Sequence, residues 1–161
     1  MDKLYKIRDL LQKDQNQIRS FKQGGISKAE YQKYSKKISA DFLRLISRNG
    51  FPYKNIVPGD IYKGGVTLSL HLDLENLVMI FDSYLKSASV NELDNEYRAI
   101  LIDKIRVLSG APQLYGTQFK VKEDRKIEIL PIEDKNNLEK RRKEMGLKPL
   151  NKYLKLIKRK S

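Results

Sequence analysis

The chain has 161 residues, 40% of them hydrophobic, with no cysteine, one histidine and a net charge of +13. That length suits one domain, on a prior of about 100–200 residues each, and the apolar share is not that of a disordered chain. The missing thiols exclude disulfides, thiolate metal sites and cysteine nucleophiles, and the lone His71 excludes a multi-histidine metal site within one chain.

The first segment, MDKLYKIRDLLQKDQ, carries charges every few residues and has no apolar run. It reads as neither a signal peptide nor a membrane anchor, and the expected location is cytoplasmic. Leu4, Ile7, Leu11, Asp14, Ile18 and Phe21 follow at steps of three and four, so a helix is predicted from about Lys3 to Lys22. Asp14 falls in the middle of that apolar stripe. A second helix starts at Ser27, which forms a capping box with Glu30, and stops at Asn49-Gly50 before Pro52. A loop is expected from Phe51 to Gly65.

Residues 66–75 alternate apolar and polar, as a strand would, but Val66, Leu70, Leu74, Leu77, Phe81 and Leu85 also fit helical spacing. The unbroken length of the run, against about 5–6 residues for a usual strand, favours a helix. A further helix is predicted from about Glu92 to Ser109, with Leu93, Tyr97, Ile100, Leu101, Ile105 and Leu108 on its apolar face. Phe119–Val121 and Ile127–Leu130 flank Glu123-Asp124-Arg125-Lys126 as a small hairpin. Asp134 or Asn136 caps a short helix reaching Met145, and Pro149 opens a last basic helix over about 149–160. The expected fold is mainly α: a compact single-domain bundle of about five to six helices with one small β-hairpin.

Charge is unevenly placed. Residues 1–37 hold ten basic and four acidic side chains, residues 38–139 thirteen and fifteen, and residues 140–161 ten and one. Basic ends around a near-neutral body read either as a phosphate-gripping surface for nucleic acid through residues 140–161, or as a solvated lysine-rich helix.

Four groups carry chemistry. Asp14, a carboxylate on a core stripe, requires a partner, with Arg19, Arg141, Arg142 and His71 as candidates. His71 is the one side chain whose ordinary pKa lies near neutrality. It reads as a general base or as a satisfied histidine, and Glu75 is placed to orient it on a helix. Tyr115-Gly116-Thr117-Gln118 offers three hydrogen-bonding tips around a tight turn. One of Arg141 and Arg142 faces inward, to clamp an anion or to form a salt bridge.

Lys13-Asp14-Gln15 with Arg19, Asn49-Gly50-Phe51-Pro52, Gly59, His71 with Asp73, Tyr115-Gly116-Thr117-Gln118, Pro131-Ile132-Glu133-Asp134, Asn137 with Arg141-Arg142, and Gly146-Leu147 with Leu150 and Tyr153 occur in that order. This series resembles an uncharacterised bacterial family of unknown function over nearly the whole chain, most specifically from YGTQ to the arginine pair. The chain departs from the family pattern at Asn49, where members often carry histidine, and at Leu70, where they often carry glutamine. The resemblance implies a mainly helical fold, and that Asp14, Gln15, His71, Gln118 and Arg141 belong to one shared feature. It implies no reaction and no cofactor.

The expected function is a polar-pocket ligand-binding domain or enzyme for an anionic small molecule. Asp14 and His71 are its catalytic candidates, and Gln15, Arg19, Tyr115, Thr117, Gln118, Arg141 and Arg142 bind substrate, with no metal. The alternatives are a nucleic-acid-binding protein using its basic ends, and an interaction protein that caps an acidic partner.

Overall fold

The computed structural model describes residues 2–87, 94–122 and 126–158. Among these residues there are seven α-helices and one two-stranded antiparallel hairpin, so the fold is mainly α. The chain divides into two compact units, residues 1–92 and 93–161. Three expectations lie outside the described residues: a helix start at Glu92 and Leu93, the hairpin turn at Glu123-Asp124-Arg125, and the cations Arg159 and Lys160.

The first unit opens with a 3-10 turn, Asp2–Tyr5, which runs into α1 (Lys6–Lys22). Its buried stripe includes Leu4, Ile7 and Asp14. Helix α2 (Lys28–Asn49) begins with the predicted capping box: the Glu30 backbone N–H donates to Ser27 Oγ, and the Ser27 N–H donates to the Glu30 carboxylate at 2.8 Å. It ends at Gly50, whose φ of 79° is a left-handed conformation open to glycine. Ile38 and Phe42 are its buried residues.

The predicted loop up to Gly65 is instead helical from Gly59. Helix α3 (Gly59–Ser69) follows Pro58 and carries Gly64 and Gly65 in its interior. Glycine disfavours a helix by about 1 kcal/mol per residue, but here it permits close packing. A Cβ at Gly64 would lie 2.9 Å from Ile7 Cγ2 on α1, and one at Gly65 would lie 2.3 Å from Pro52 Cγ. Tertiary approach therefore outweighs local propensity.

The single helix expected over 66–85 is likewise corrected. Backbone turns at Leu70-His71-Leu72 separate α3 from α4 (Leu74–Ser87). Asp73 restarts the helix, its carboxylate accepting from the Asn76 N–H at 2.9 Å. A short polar residue at that position favours an N-cap over an interior place, which is why continuous apolar spacing did not give a continuous helix. His71 thus sits in an interhelical turn, where Glu75 does not orient it.

In the second unit, α5 (Asn95–Leu108) buries Ala99, Leu101 and Asp103. Strands β1 (Phe119–Val121) and β2 (Ile127–Ile129) pair Phe119 with Ile129 and Val121 with Ile127. A 3-10 turn at Lys135–Asn137, with Asp134 at φ 45°, leads into α6 (Leu138–Glu144), so the expected short helix starts later than a cap at Asp134 or Asn136 would place it. Gly146, at φ 70°, stops α6, and α7 (Leu150–Lys158) follows Pro149.

Candidate functional site

The nine residues predicted to share one pocket fall into both units. In the first unit, α1 presents Asp14 on its buried stripe, 2% exposed. The turn after α3 presents His71, whose Nδ1 lies 3.1 Å from both Asp14 oxygens. Asp14 therefore pairs with the histidine. Gln15 Nε2 donates to Asp14 Oδ2 at 3.2 Å. Arg19 is exposed on α1 and forms no ion pair among the described residues.

This geometry fixes the ring. A carboxylate accepts only, so in the neutral imidazole the proton sits on Nδ1 and the lone pair on Nε2. Among the described residues Nε2 has no hydrogen-bond partner, and the His71 side chain is 31% exposed against 3% for Asp14. The arrangement is a shielded carboxylate behind a part-exposed imidazole. Tyr31 on α2 belongs to the same neighbourhood: burial raises its phenol pKa, and the Asp14 charge raises it further. Its ring stacks on Phe21 at 4.8 Å. Helical spacing marks Tyr31 only as a core position, so its nearness to Asp14 has no sequence signal.

In the second unit the organising group is Asp103, which sequence reasoning missed. It is fully buried and accepts hydrogen bonds from the backbone N–H groups of Leu114 (2.7 Å), Tyr115 (3.0 Å) and Thr117 (3.0 Å), and from Thr117 Oγ1 (2.8 Å). The 114–117 turn is thus a nest of N–H donors already filled by an internal carboxylate. Its available sign was position: Asp103 follows Ala99 by four residues on a buried helical face. Gly116, at φ 70°, closes the turn under Leu150, whose Cδ1 would lie 3.1 Å from an added Cβ. Gln113 is fully buried and satisfied: Nε2 donates to the carbonyls of Gln118 and Leu130, and Oε1 accepts from the Gln118 N–H.

The remaining predicted residues serve this knot. Gln118 Nε2 makes long bonds, 3.3 Å, to the Ile100 carbonyl and Thr117 Oγ1. Arg141 donates through Nε to the Leu114 carbonyl at 3.0 Å and through Nη2 to the Glu133 and Asp134 carbonyls, with Asp134 Oδ2 3.7 Å from Nη1. Arg142 is the inward arginine, 2% exposed, and donates to the carbonyls of Lys148 and Tyr115. Tyr115 is half-buried.

Among the described residues no group of three or more His, Asp or Glu side chains could hold a metal ion, and no helix is long and apolar enough to cross a membrane. No curated protein and no solved structure matches the chain. A family match spans residues 72–160, narrower than the nearly whole-chain resemblance expected; it contains the 115–118 turn and Arg141-Arg142, and leaves Asp14, Gln15 and His71 outside. That span exceeds half of the chain, and the chain belongs to DUF6624, a family of unknown function.

Proposed function

We propose that the first unit binds a small polar molecule and uses His71 as a general base on it, with Asp14 as the positioning residue. One observation carries this reading: a buried carboxylate holds Nδ1, while Nε2 is unpartnered among the described residues on a side chain 31% exposed. A base needs its acceptor atom reachable and its ring fixed. A merely satisfied histidine needs neither. Tyr31 beside Asp14 supplies a second polar group to the same place.

His71 is the chain's one histidine, so carbethoxylation of imidazole by diethyl pyrocarbonate reads this residue alone. Wild type is expected to react rapidly and Asp14→Asn more slowly, since the amide no longer supports positive charge building on the ring. Equal rates in two folded proteins would remove the dyad. Against a panel of small polar molecules, a compound that raises the melting point of wild type and not of His71→Ala identifies the substrate class. Turnover of that class should then fall by about 10²–10⁴-fold in His71→Ala.

A further inference from the structure

The second unit contains a separate cavity of about 140 Å³, lined by Arg142, Thr117, Tyr153, Lys148, Glu96 and Leu156 among others. Arg142 projects from α6, and its guanidinium lies 5.1 Å from the centroid of the Tyr153 ring on α7. Its two hydrogen-bond acceptors, the Lys148 and Tyr115 carbonyls, carry no formal charge. Among the described residues it has no ion pair, and its Nη2 group has no hydrogen-bond partner. The carboxylates that act on it do so at longer range. Of these, Asp103 is saturated by the 114–117 turn, and Glu139 accepts from the Leu150 N–H at 3.0 Å.

We infer that this cavity is a binding site for a small oxyanion, with Arg142 as its clamp. A cation that is 2% exposed and lacks an ion pair is costly to bury. Burial depresses the pKa of Arg142, and the more distant charges of Glu139, Tyr153, Asp103 and Glu96 offset it only in part. An anion in the cavity supplies the missing counter-charge and an acceptor for Nη2. The volume corresponds to about four or five waters at roughly 30 Å³ each, enough for one carboxylate- or phosphate-sized group with a short tail. Tyr153 brings a phenol to the lining and Leu156 an apolar wall, while the Thr117 hydroxyl stays committed to Asp103. Local charge selects among anions: Arg142 and Lys148 are positive and Glu96 is negative, so a monoanion leaves the cavity neutral and a dianion does not. A carboxylate is therefore preferred to sulfate. The site rests on the second unit alone and does not depend on the His71–Asp14 reading.

The probe is acetate, titrated at constant ionic strength against chloride, with the Arg142 side-chain Nε–H resonance followed by NMR and assigned from Arg142→Lys. The expected result is a saturable shift of that resonance with acetate and a much weaker response to sulfate. Glu96 is exposed, so Glu96→Gln keeps the fold and serves where Arg142→Lys does not fold; it should strengthen sulfate binding about fivefold. A resonance that ignores acetate up to its solubility, or a linear drift identical for acetate and chloride, overturns the site. Unchanged sulfate affinity in Glu96→Gln overturns the charge selection.

Discussion

Among the described residues two carboxylates are buried, one in each unit, and they are held in opposite ways. Asp103 accepts from three backbone N–H groups and a hydroxyl, all fixed within residues 114–117. Asp14 faces one imidazole and one flexible amide. Donors that cannot titrate hold a carboxylate as structure. An imidazole, whose other nitrogen has no hydrogen-bond partner among the described residues, leaves the Asp14 contact with one side open. The surroundings follow the same division. Among the described residues, the first unit buries Asp14 and Ser69 against a large apolar set, whereas the second buries Asp103, Gln113, Thr117 and Arg142 with Ala99, Leu101 and Leu138. The second unit is held by the polar network around Asp103 and Gln113, in which loss of one member leaves others unpaired.

The comparison breaks most visibly at Asp103. Asp103→Ala strands several buried N–H groups, and a destabilisation of about 3–5 kcal/mol is expected in urea unfolding. A loss below about 1 kcal/mol would mean that the nest is not structural. Gln113→Leu removes three side-chain hydrogen bonds of the same network, and a cost of about 2 kcal/mol is expected from the same measurement. Asp14→Asn should cost only about 1 kcal/mol, because the amide still has an acceptor for Nδ1–H. It should nonetheless move the ring nitrogen shifts of His71, read by NMR, because the charged acceptor of Nδ1–H has become a neutral one. If Asp14→Asn is as damaging as Asp103→Ala, the two carboxylates are equivalent and the contrast fails. Ser27→Ala supplies the scale for an ordinary exposed cap, about 0.5–2 kcal/mol.

The smallest effect expected is on acidification. The Ser27 backbone and hydroxyl hold the Glu30 carboxyl below its ordinary pKa. The contribution of a depressed carboxyl is present above the unfolded pKa and is lost as pH falls through the folded one. Amide exchange at the start of α2 should therefore quicken in wild type as pH drops below the usual carboxylate range, and should do so less in Glu30→Gln.

Local signals were legible. The stripe of α1 with Asp14 embedded, the capping box of α2, the stop at Gly50 and the strands of the hairpin all follow from spacing and turn residues within a few positions. What was hidden depends on distance along the chain. Asp14 and His71 are 57 residues apart, and no pattern within α1 selects His71 over three arginines. The interior glycines of α3 read as loop residues until Ile7 and Pro52 are known to press against them. Asp103 and Gln113 look like ordinary polar residues, because the donors that fill their bonding capacity lie on another segment. The cap at Asp73 was visible in principle, but apolar spacing over 66–85 ran through it.

The Asp103 knot also bears on how the chain acquires its shape. Its bonds join residues only 11 to 14 positions apart. Segments of about 10 residues close in roughly 10–100 ns, far faster than distant helices meet. The pairing of Asp14 with His71 must wait for a much longer closure. Asp103 variants should accordingly slow refolding, whereas Asp14 variants should chiefly change the unfolding rate, a division that stopped-flow chevrons of the two would read directly.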